Sequence, residues 1–335
     1  MIKVGVIGAG RIGKIHAENL ATRIHGVIVK AIADPNLKAA QDLAEKLHVS
    51  KVYSDHKQIL NDKEIQAIAI CSSTDTHAAL IIESAEAGKH IFCEKPVDHS
   101  LYKIDKAIEA VKNAKVKCQI GFNRRFDPNF KKVRDLIQEG KIGDIEILRI
   151  TSRDPAPPPV EYVKVSGGMF LDMTIHDFDM ARYLSGSEVV EVFAAGGVMV
   201  DPAIGKAGDI DTAIITLKFA NGAIGTIDNC RKAVYGYDQR VEVFGSEGMV
   251  SVANNTPNSH VLSTANGVTS EKPLYFFLER YMDSFIAEMK MFIEAIQNDS
   301  PTAVDILDGR KPVVIAMAAK ISLIENRPVK LSEIE

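Results

Sequence analysis

The sequence has few cysteines, no long apolar run and little excess charge. Its four cysteines are Cys71, Cys93, Cys118 and Cys230. They lie far apart, whereas a zinc site usually takes closely spaced pairs, so we expect free and mostly buried thiols and no metal. No apolar stretch approaches the length of a membrane span, and the N-terminus begins with a strand-like segment where a signal peptide would stand. The formal net charge of −4 offers no general attraction for nucleic acid or anionic membranes. These absences predict a cytoplasmic protein with neither nucleic acid nor membrane as a partner.

Apolar strand-like runs alternate with helical patterns over residues 1–122. Strands are predicted at Lys3–Ile7, Val27–Ala33, Ala67–Cys71, His90–Cys93 and Lys117–Gly121. Helices are predicted between them at Ile12–Ala21, Lys38–Leu47, His77–Ala87 and Ile104–Lys112. Such alternation makes parallel strands with right-handed crossovers. We therefore predict an α/β fold whose first domain, residues 1–122, is a doubly wound parallel sheet that binds its ligand beyond the carboxyl ends of the strands.

The pattern changes in residues 123–335, where longer strand-like runs follow one another. The dipeptide Asn221-Gly222 between two of them is a strong hairpin signal. The predicted strands are Glu146–Thr151, Val189–Val198, Thr212–Phe219, Ala223–Asp228, Arg240–Phe244 and Met249–Ala253, and the predicted helices are Asn129–Glu139, Phe277–Gln297 and Leu307–Ile324. Successive hairpins make a mostly antiparallel sheet, so we predict a second, α+β domain with one large open sheet. Its uncovered face favours a subunit partner.

A glycine-rich segment, Gly8 to Gly13, directly follows the first predicted strand and begins a helix. In the pattern GxGxxG, Gly8 permits the tight turn, Gly10 lets the backbone approach a pyrophosphate, and Gly13 lets the helix pack close to the strand. The helix N-terminus offers N–H groups to the phosphates. Asp34 ends the second strand, at the distance where a carboxylate can accept both ribose hydroxyls and repel a 2′-phosphate. The segment predicts a dinucleotide site that prefers NAD to NADP.

Glu94-Lys95-Pro96 ends the strand His90–Cys93. Because Pro96 restricts Lys95 to an extended conformation, the lysine is directed from a strand end towards the expected nicotinamide position. Desolvation and a cationic nicotinamide would both lower the pKa of Lys95. Such a lysine can exchange a proton near neutral pH or stabilise a developing alkoxide.

The segment from Gly167 to Asp179 carries the second group of reactive side chains. Asp172, His176, Asp179 and Tyr183 are spaced i, i+4, i+7 and i+11, so on one helix they share a face. A carboxylate one turn before a histidine can fix the tautomer of the ring and raise its basicity. From spacing alone, acids that complement the dipole at a helix N-terminus explain the pattern equally well. Metal ligation is disfavoured, because no further ligand is evident and hydride transfer needs no metal.

These motifs, in this order and spacing, closely resemble the glucose–fructose oxidoreductase/inositol dehydrogenase/MocA (Gfo/Idh/MocA) family over essentially the whole chain. The resemblance rests on Gly8–Gly13, Glu94–Pro96, Gly121–Arg125 and Gly167–Asp179. It implies a Rossmann domain followed by an α+β domain for substrate binding and oligomerisation, commonly assembled as a homotetramer. It also implies that Lys95, Asp172 and His176 are catalytic.

Two further sets of side chains are predicted to bind ligands. The loops at the strand ends give the cofactor-binding residues Gly8, Gly10, Arg11, Ile12, Gly13, Asp34, Ser72, Ser73, Thr74, His77, Glu94 and Lys95. The resemblance implies a substrate set of Lys95, Asn123, Arg125, Asp154, Asp172, His176 and Tyr235. Asp154 lies where relatives often place a substrate-binding side chain, which in some of them is a histidine, and Tyr235 falls in a loop that can contribute to the sugar site.

Within the family, the sequence is most similar to the bacterial inositol 2-dehydrogenases. The resemblance therefore implies NAD-dependent oxidation of a secondary alcohol on a cyclic polyol, with myo-inositol to scyllo-inosose as the first expectation. The same residues would serve scyllo- or chiro-inositol, or an aldose oxidised at the anomeric carbon. A catalytically inactive NAD-binding sensor is the alternative of another class. The presence of Lys95, Asp172 and His176 together argues against it.

Overall fold

Six strands and five helices alternate along the first 121 residues of the computed structural model, which describes residues 1–334. The strands are β1 (Ile2–Ile7), β2 (Val27–Ala33), β3 (Lys51–Tyr53), β4 (Ala67–Ile70), β5 (His90–Glu94) and β6 (Cys118–Gly121). The helices are α1 (Arg11–Thr22), α2 (Leu37–Leu47), α3 (Lys57–Leu60), α4 (Thr74–Glu86) and α5 (Leu101–Ala114), and a 3-10 turn follows at Asn123–Phe126. Every strand pair is parallel, in the order β3-β2-β1-β4-β5-β6. The strand order reverses between β1 and β4, the place where such sheets bind ligands, and the predicted Rossmann fold is confirmed.

A second sheet is built from the later part of the chain. Its region begins with α6 (Pro128–Gln138), β7 (Ile145–Arg153), α7 (Val160–Val163), α8 (Met169–Asp172), α9 (Ile175–Ser185), β8 (Val189–Gly197) and α10 (Pro202–Lys206). It continues with β9 (Thr212–Phe219), β10 (Ile224–Cys230), β11 (Asp238–Gly245), β12 (Gly248–Val252), β13 (Val261–Thr264), β14 (Gly267–Ser270) and α11 (Phe277–Arg280). The last elements are α12 (Met282–Gln297), α13 (Ile306–Glu325), β15 (Val329–Lys330) and a 3-10 turn at Leu331–Glu333.

The second sheet has seven strands, in the order β12-β11-β7-β10-β9-β8-β15, and β13 and β14 form a separate hairpin. All its described pairings are antiparallel except one, between β7 and β10. The prediction of a mostly antiparallel open sheet is confirmed. β7 and β10 are separated in the chain by β8 and β9. Hairpin signals indicate only pairs of consecutive strands, so they do not predict this parallel pair.

The chain divides into two compact units, and the first is not continuous in sequence. It contains Met1–Phe126 together with Asp283–Val313, and the second contains Asp127–Met282 and the chain from Val314 on. The apolar face of α12 explains the division, because Met289, Phe292 and Ile293 lie in the same hydrophobic cluster as the residues of β1 and β2. The predicted division at residues 122 and 123 had assigned this helix to the second domain. The separate roles in NAD and substrate binding stay predictions.

The four cysteines carry free thiols, as predicted. All four cysteines are free, and three of them are buried, whereas Cys230 is half-buried. Burial raises the pKa of the Cys71 and Cys93 thiols, which keeps both thiols neutral. In the part of the chain that the structure describes, no helix combines the length and apolar character that a membrane crossing needs.

Candidate functional site

The glycines of the loop between β1 and α1 have separate structural roles. Gly8 has a φ of +103°, a value that favours glycine. A Cβ on Gly13 would lie 2.0 Å from the carbonyl oxygen of Gly8, so only glycine fits there. A Cβ on Gly10 would meet nothing within 4 Å. The fold therefore requires Gly8 and Gly13, whereas Gly10 leaves its backbone accessible to a ligand.

The Asp34 carboxylate is fixed beside this loop. It accepts hydrogen bonds from the backbone N–H of Ala9 and from that of Asn36, both at 2.7 Å. Asp34 directly follows β2, which is the strand next to β1. The two elements that sequence reasoning assigned to a pyrophosphate and a ribose are thus adjacent at the carboxyl ends of neighbouring strands.

The loops after β4 and β5 are joined by His77. Its ring is 1% exposed, with Nδ1 2.8 Å from the carbonyl oxygen of Pro96 and Nε2 3.1 Å from that of Ser72. The ring therefore lies between the two loops, and in its neutral form it can donate a hydrogen bond to one of the two carbonyls at a time. Direct contact of His77 with a cofactor, which the sequence suggested, stays a prediction. Ser73 precedes α4, so Ser72, Ser73 and Thr74 lie at its N-terminus.

The loops after β5 and β6 carry Lys95, Asn123 and Arg125. Lys95 is half-buried directly after β5 and precedes a cis peptide bond to Pro96. Asn123 is buried in the 3-10 turn that follows β6. The Arg125 guanidinium donates to both carboxylate oxygens of Asp308, each at 3.2 Å. These predicted substrate-binding side chains therefore stand at the carboxyl edge of the first sheet.

In the second unit, Asp172 and His176 lie on two different helices, which corrects the prediction of one continuous helix. Asp172 ends α8, and His176 belongs to α9. The helical hydrogen-bond pattern is broken between them, because the Thr174 N–H bonds to the carbonyl of Met169 and the His176 N–H to that of Met173. The Thr174 hydroxyl donates to Asn229 Oδ1 of β10 at 2.6 Å, and this buried bond lies at the point where the helix is interrupted. Of the four residues predicted to share one helix face, His176, Asp179 and Tyr183 do so on α9, and only Asp172 lies outside that helix.

Asp172 and Asp154 meet at a buried arginine that sequence reasoning missed. Arg231 is 3% exposed, and its Nη1 lies 3.0 Å from Asp172 Oδ2 and 3.6 Å from Asp154 Oδ2. The Tyr162 hydroxyl donates to the other Asp172 oxygen at 2.8 Å. Burial acts to lower the pKa of Arg231, but the charges of Asp172 and Asp154 outweigh it and raise the pKa, so Arg231 is a permanent cation.

The signal for this arginine lies in the strand pairing. Arg153 at the end of β7 is paired with Cys230 at the end of the parallel strand β10. The next residues along the two strands, Asp154 and Arg231, are consequently neighbours. A sequence reading that recognised this parallel pair would have placed the two together.

Two other predicted or candidate polar residues have partners of their own. The Tyr235 hydroxyl donates to Asp238 at 2.6 Å and accepts from Arg153 at 3.1 Å. Asp179 is 1% exposed and lies 4.0 Å from the Arg182 guanidinium. The role of Tyr235 in substrate binding stays a prediction.

The chain matches two family models, which together span most of it. Residues 2–122 match the oxidoreductase family with an NAD-binding Rossmann fold, and residues 130–251 match the GFO/IDH/MocA C-terminal domain. The chain is 52% identical over 333 residues to the myo-inositol 2-dehydrogenase of Thermotoga maritima, which covers 99% of both proteins. The chain belongs to the Gfo/Idh/MocA family of oxidoreductases.

Solved structures of dehydrogenases have the same fold. The crystal structure of a probable dehydrogenase from Thermotoga maritima aligns with a TM-score of 0.98 at 52% identity, over 100% of both chains. A scyllo-inositol dehydrogenase from Lactobacillus casei, solved with bound NAD(H) and scyllo-inositol, aligns with a TM-score of 0.92 at 30% identity, over 99% of both chains. The predicted family, the NAD cofactor and the dehydrogenase class are confirmed.

The first unit of this Gfo/Idh/MocA protein fits NAD. Gly10 has no neighbour where a Cβ would stand, so a pyrophosphate can approach the backbone. The Asp34 carboxylate stands at the end of β2, where it can accept from ribose hydroxyls. When bound, NAD+ supplies the hydride acceptor for oxidation of a CH–OH group.

Gly10→Ala should weaken NAD binding about tenfold or more without destabilising the protein. The added methyl meets no protein atom within 4 Å but stands where the pyrophosphate must approach. NADH fluorescence titration gives the affinity, and thermal unfolding of the free protein gives the stability. The matched variant Gly13→Ala should instead lower the unfolding temperature, because its methyl collides with the Gly8 carbonyl. Unchanged NAD affinity in Gly10→Ala would remove this loop from the phosphate site.

Asp34→Ser should shift cofactor preference from NAD towards NADP by about tenfold or more. The serine removes both the acceptor for the ribose hydroxyls and the charge that repels a 2′-phosphate. The ratio of kcat/KM for the two cofactors measures the effect. Asp42→Ser is the matched control, because Asp42 pairs with Lys38 on the exposed surface of α2. A ratio that is the same in wild type and Asp34→Ser would show that the ribose contact is misassigned.

Proposed function

We propose that the protein oxidises a secondary hydroxyl of an inositol with NAD+, and that its substrate is myo-inositol, which is converted to scyllo-inosose. The observation that carries the proposal is the likeness to a protein named myo-inositol 2-dehydrogenase, at 52% identity over 99% of both chains. Likeness over the full length includes both the cofactor unit and the unit that holds Asp154, Asp172 and Arg231. The relative's activity is therefore proposed for a chain that matches it along both units.

Three residues carry the proposed chemistry. His176 takes the proton of the reacting hydroxyl as general base. Asp172 orients the histidine and stabilises the imidazolium that forms, while its own position is fixed by Arg231 and Tyr162. Lys95 stabilises the negative charge that develops on the substrate oxygen. The carbinol carbon loses its hydrogen as hydride to the cofactor, so the products are a ketone, NADH and one proton.

The remaining polar side chains are proposed to recognise the ring hydroxyls. A polyol differs from its epimers only in hydroxyl orientation, so discrimination needs several hydrogen-bond partners. We assign this role to Asn123, Arg125, Asp154, Asp179 and Tyr235. Hydrogen bonds to Asp308 and Asp238 fix the positions of the Arg125 and Tyr235 side chains.

A panel of substrates tests the proposal. The protein is incubated with NAD+ and, separately, myo-, scyllo- and chiro-inositol and aldoses, and NADH is followed by its absorbance. We expect the highest kcat/KM with myo-inositol. A clear preference for scyllo-inositol would favour the activity named for the Lactobacillus casei neighbour, and a preference for chiro-inositol or an aldose would favour those substrates. No NADH with any of them would favour an NAD-binding sensor without catalytic activity.

We further propose a homotetramer in the cytoplasm. The second sheet exposes large apolar side chains on five of its strands, namely Val190, Ile214, Ile224, Phe244 and Met249, each 43–52% exposed. Such a surface favours burial against another copy of the chain. Four free cysteines are typical of a reducing compartment. Sedimentation of the purified protein tests the subunit count.

A further inference from the structure

A buried group of three titratable side chains lies inside the first unit and has no part in the mechanism above. We call His16 of α1, Glu94 at the end of β5 and Glu288 of α12 the His–Glu–Glu cluster. His16 Nε2 lies 2.6 Å from Glu94 Oε1 and 3.8 Å from Glu288 Oε1. The side chains of His16 and Glu288 are 0% exposed and that of Glu94 is 13% exposed. Only Glu94 therefore reaches the surface, and two buried groups stand behind it.

Glu288 has no hydrogen-bond partner for either carboxyl oxygen among residues 1–334, and neither has His16 Nδ1. An ionised carboxylate without partners is very costly to bury. Burial, and then the charge of Glu94, raise the pKa of Glu288 well above its usual range. Burial without a partner therefore favours the neutral, protonated form of Glu288, so the cluster holds a dissociable proton.

Two thiols near the cluster add no charge to it. Cys71 directly follows β4 and Cys93 belongs to β5, and burial above all raises the pKa values of both thiols, so they stay neutral. The rings of Phe92 and Phe285 pack against His16 with centroids 4.9 and 5.7 Å away. An apolar wall of this kind strengthens electrostatic interactions between the cluster and a nearby charge.

A proton explains the geometry of the cluster better than a metal ion does. The side-chain ligand atoms all lie within 4.8 Å of one another, close enough to enclose a cation. However, His16 Nε2 and Glu94 Oε1 are already hydrogen-bonded to each other at 2.6 Å, and a cation between them would have to break that bond. The proton arrangement needs no such change.

The exposed member of the cluster stands on the nicotinamide side of the cofactor site. The Glu94 carboxylate lies over Gly121, where a Cβ would be 3.1 Å from it, so it covers the carboxyl ends of β5 and β6. In a Rossmann sheet the second mononucleotide-binding half, here β4 to β6, takes the nicotinamide half of the dinucleotide. Glu94 also directly precedes Lys95.

We propose that the His–Glu–Glu cluster senses the charge of the nicotinamide, losing a proton to solvent when cationic NAD+ binds and keeping it when neutral NADH binds. The ring of NAD+ is stabilised by a more negative cluster, and NADH is not. Affinity for NAD+ relative to NADH therefore rises as the pH rises through the titration of the cluster, by up to about tenfold per pH unit for one proton. The proposal depends on NAD binding to the first unit, but not on the identity of the polyol.

The test is the ratio of the dissociation constants of NADH and NAD+ as a function of pH, measured without substrate. In the wild type we expect the ratio to rise about tenfold or more over the titration. Glu288→Gln keeps the shape of the neutral acid but cannot ionise. In this variant the ratio should change less than about threefold over the same pH range. Glu83→Gln is the matched control, because Glu83 pairs with His56 at 2.7 Å in a half-exposed position. In Glu83→Gln the ratio should rise with pH as it does in the wild type.

Two outcomes would overturn the proposal: a ratio independent of pH in the wild type, or the same rise in Glu288→Gln as in the wild type. Calorimetry of the wild type in buffers of different ionisation enthalpy counts the protons directly, and it applies even if the variant fails to fold. We expect proton release with NAD+ that is absent with NADH; equal release with both would contradict the proposal. If prior treatment with EDTA abolished the pH dependence, the cluster would bind a metal ion and the proposal of a proton would be wrong. Failure of inositol oxidation in the substrate panel would leave these binding results unaffected.

Discussion

Replacement of Lys95 by methionine should lower kcat by about 10²–10⁴-fold while NAD affinity changes by no more than about threefold. Methionine keeps the unbranched shape of the side chain but removes the ammonium group. The loss falls on kcat because the charge acts on the substrate oxygen only as negative charge develops in the transition state. Steady-state kinetics with myo-inositol, together with NADH titration of the same preparation, separates the two quantities.

The control for this variant is Lys106→Met. Lys106 lies on α5, has a 53% exposed side chain and is 3.0 Å from Glu109, which is 59% exposed, so the same chemical change there removes only a surface charge. Its kcat should equal that of the wild type. If Lys95→Met kept the wild-type kcat, lysine would have no part in the chemistry, although NAD binding by the glycine loop would be unaffected.

Replacement of Arg231 by methionine should destabilise the protein by about 3 kcal/mol and strongly reduce turnover. Arg231 stands between Asp172 and Asp154, and its loss leaves two mostly buried carboxylates facing each other without a counter-charge. Removing one partner of a buried pair typically costs about 3–5 kcal/mol. We expect the lower end, because the side chains of Asp172 and Asp154 are 12% and 24% exposed and retain some contact with water. Denaturant unfolding measures the change.

Two further variants separate charge from packing at this position. Arg231→Lys keeps a cation and should recover part of both stability and turnover. The double variant Arg231→Met/Asp172→Asn also removes the negative charge of Asp172, so only the Asp154 carboxylate lacks a counter-charge. The double variant should therefore be more stable than Arg231→Met alone. If Arg231→Met unfolded at the wild-type denaturant concentration, the arginine would not be the partner that holds Asp172 in place.

Local patterns were sufficient to predict the first sheet and the cofactor loop. The strand Val27–Ala33 has the predicted bounds, and the glycine loop and Asp34 stand where their spacing placed them. Each of these predictions depends on residues close together in the chain. The three-residue strand β3 (Lys51–Tyr53) was missed because it is too short to show an alternating pattern.

Interactions between distant segments limited the remaining predictions. The parallel pairing of β7 with β10 brings Asp154 to Arg231, and no local sequence pattern predicts this pairing. The break between Asp172 and His176 lies at Thr174, whose hydroxyl bonds to Asn229, 55 residues later in the chain. The hydrophobic periodicity of α12 predicted a helix, but not the sheet that the helix covers.

The contribution of α12 to the first unit has a consequence for synthesis on the ribosome. The hydrophobic cluster around β1 and β2 includes Met289, Phe292 and Ile293, so it is incomplete until these residues have left the exit tunnel. At roughly 5–20 residues per second, the nascent first unit waits for many seconds with an apolar face exposed. We expect the product of a gene truncated after Phe126 to keep this apolar face exposed and to bind chaperones.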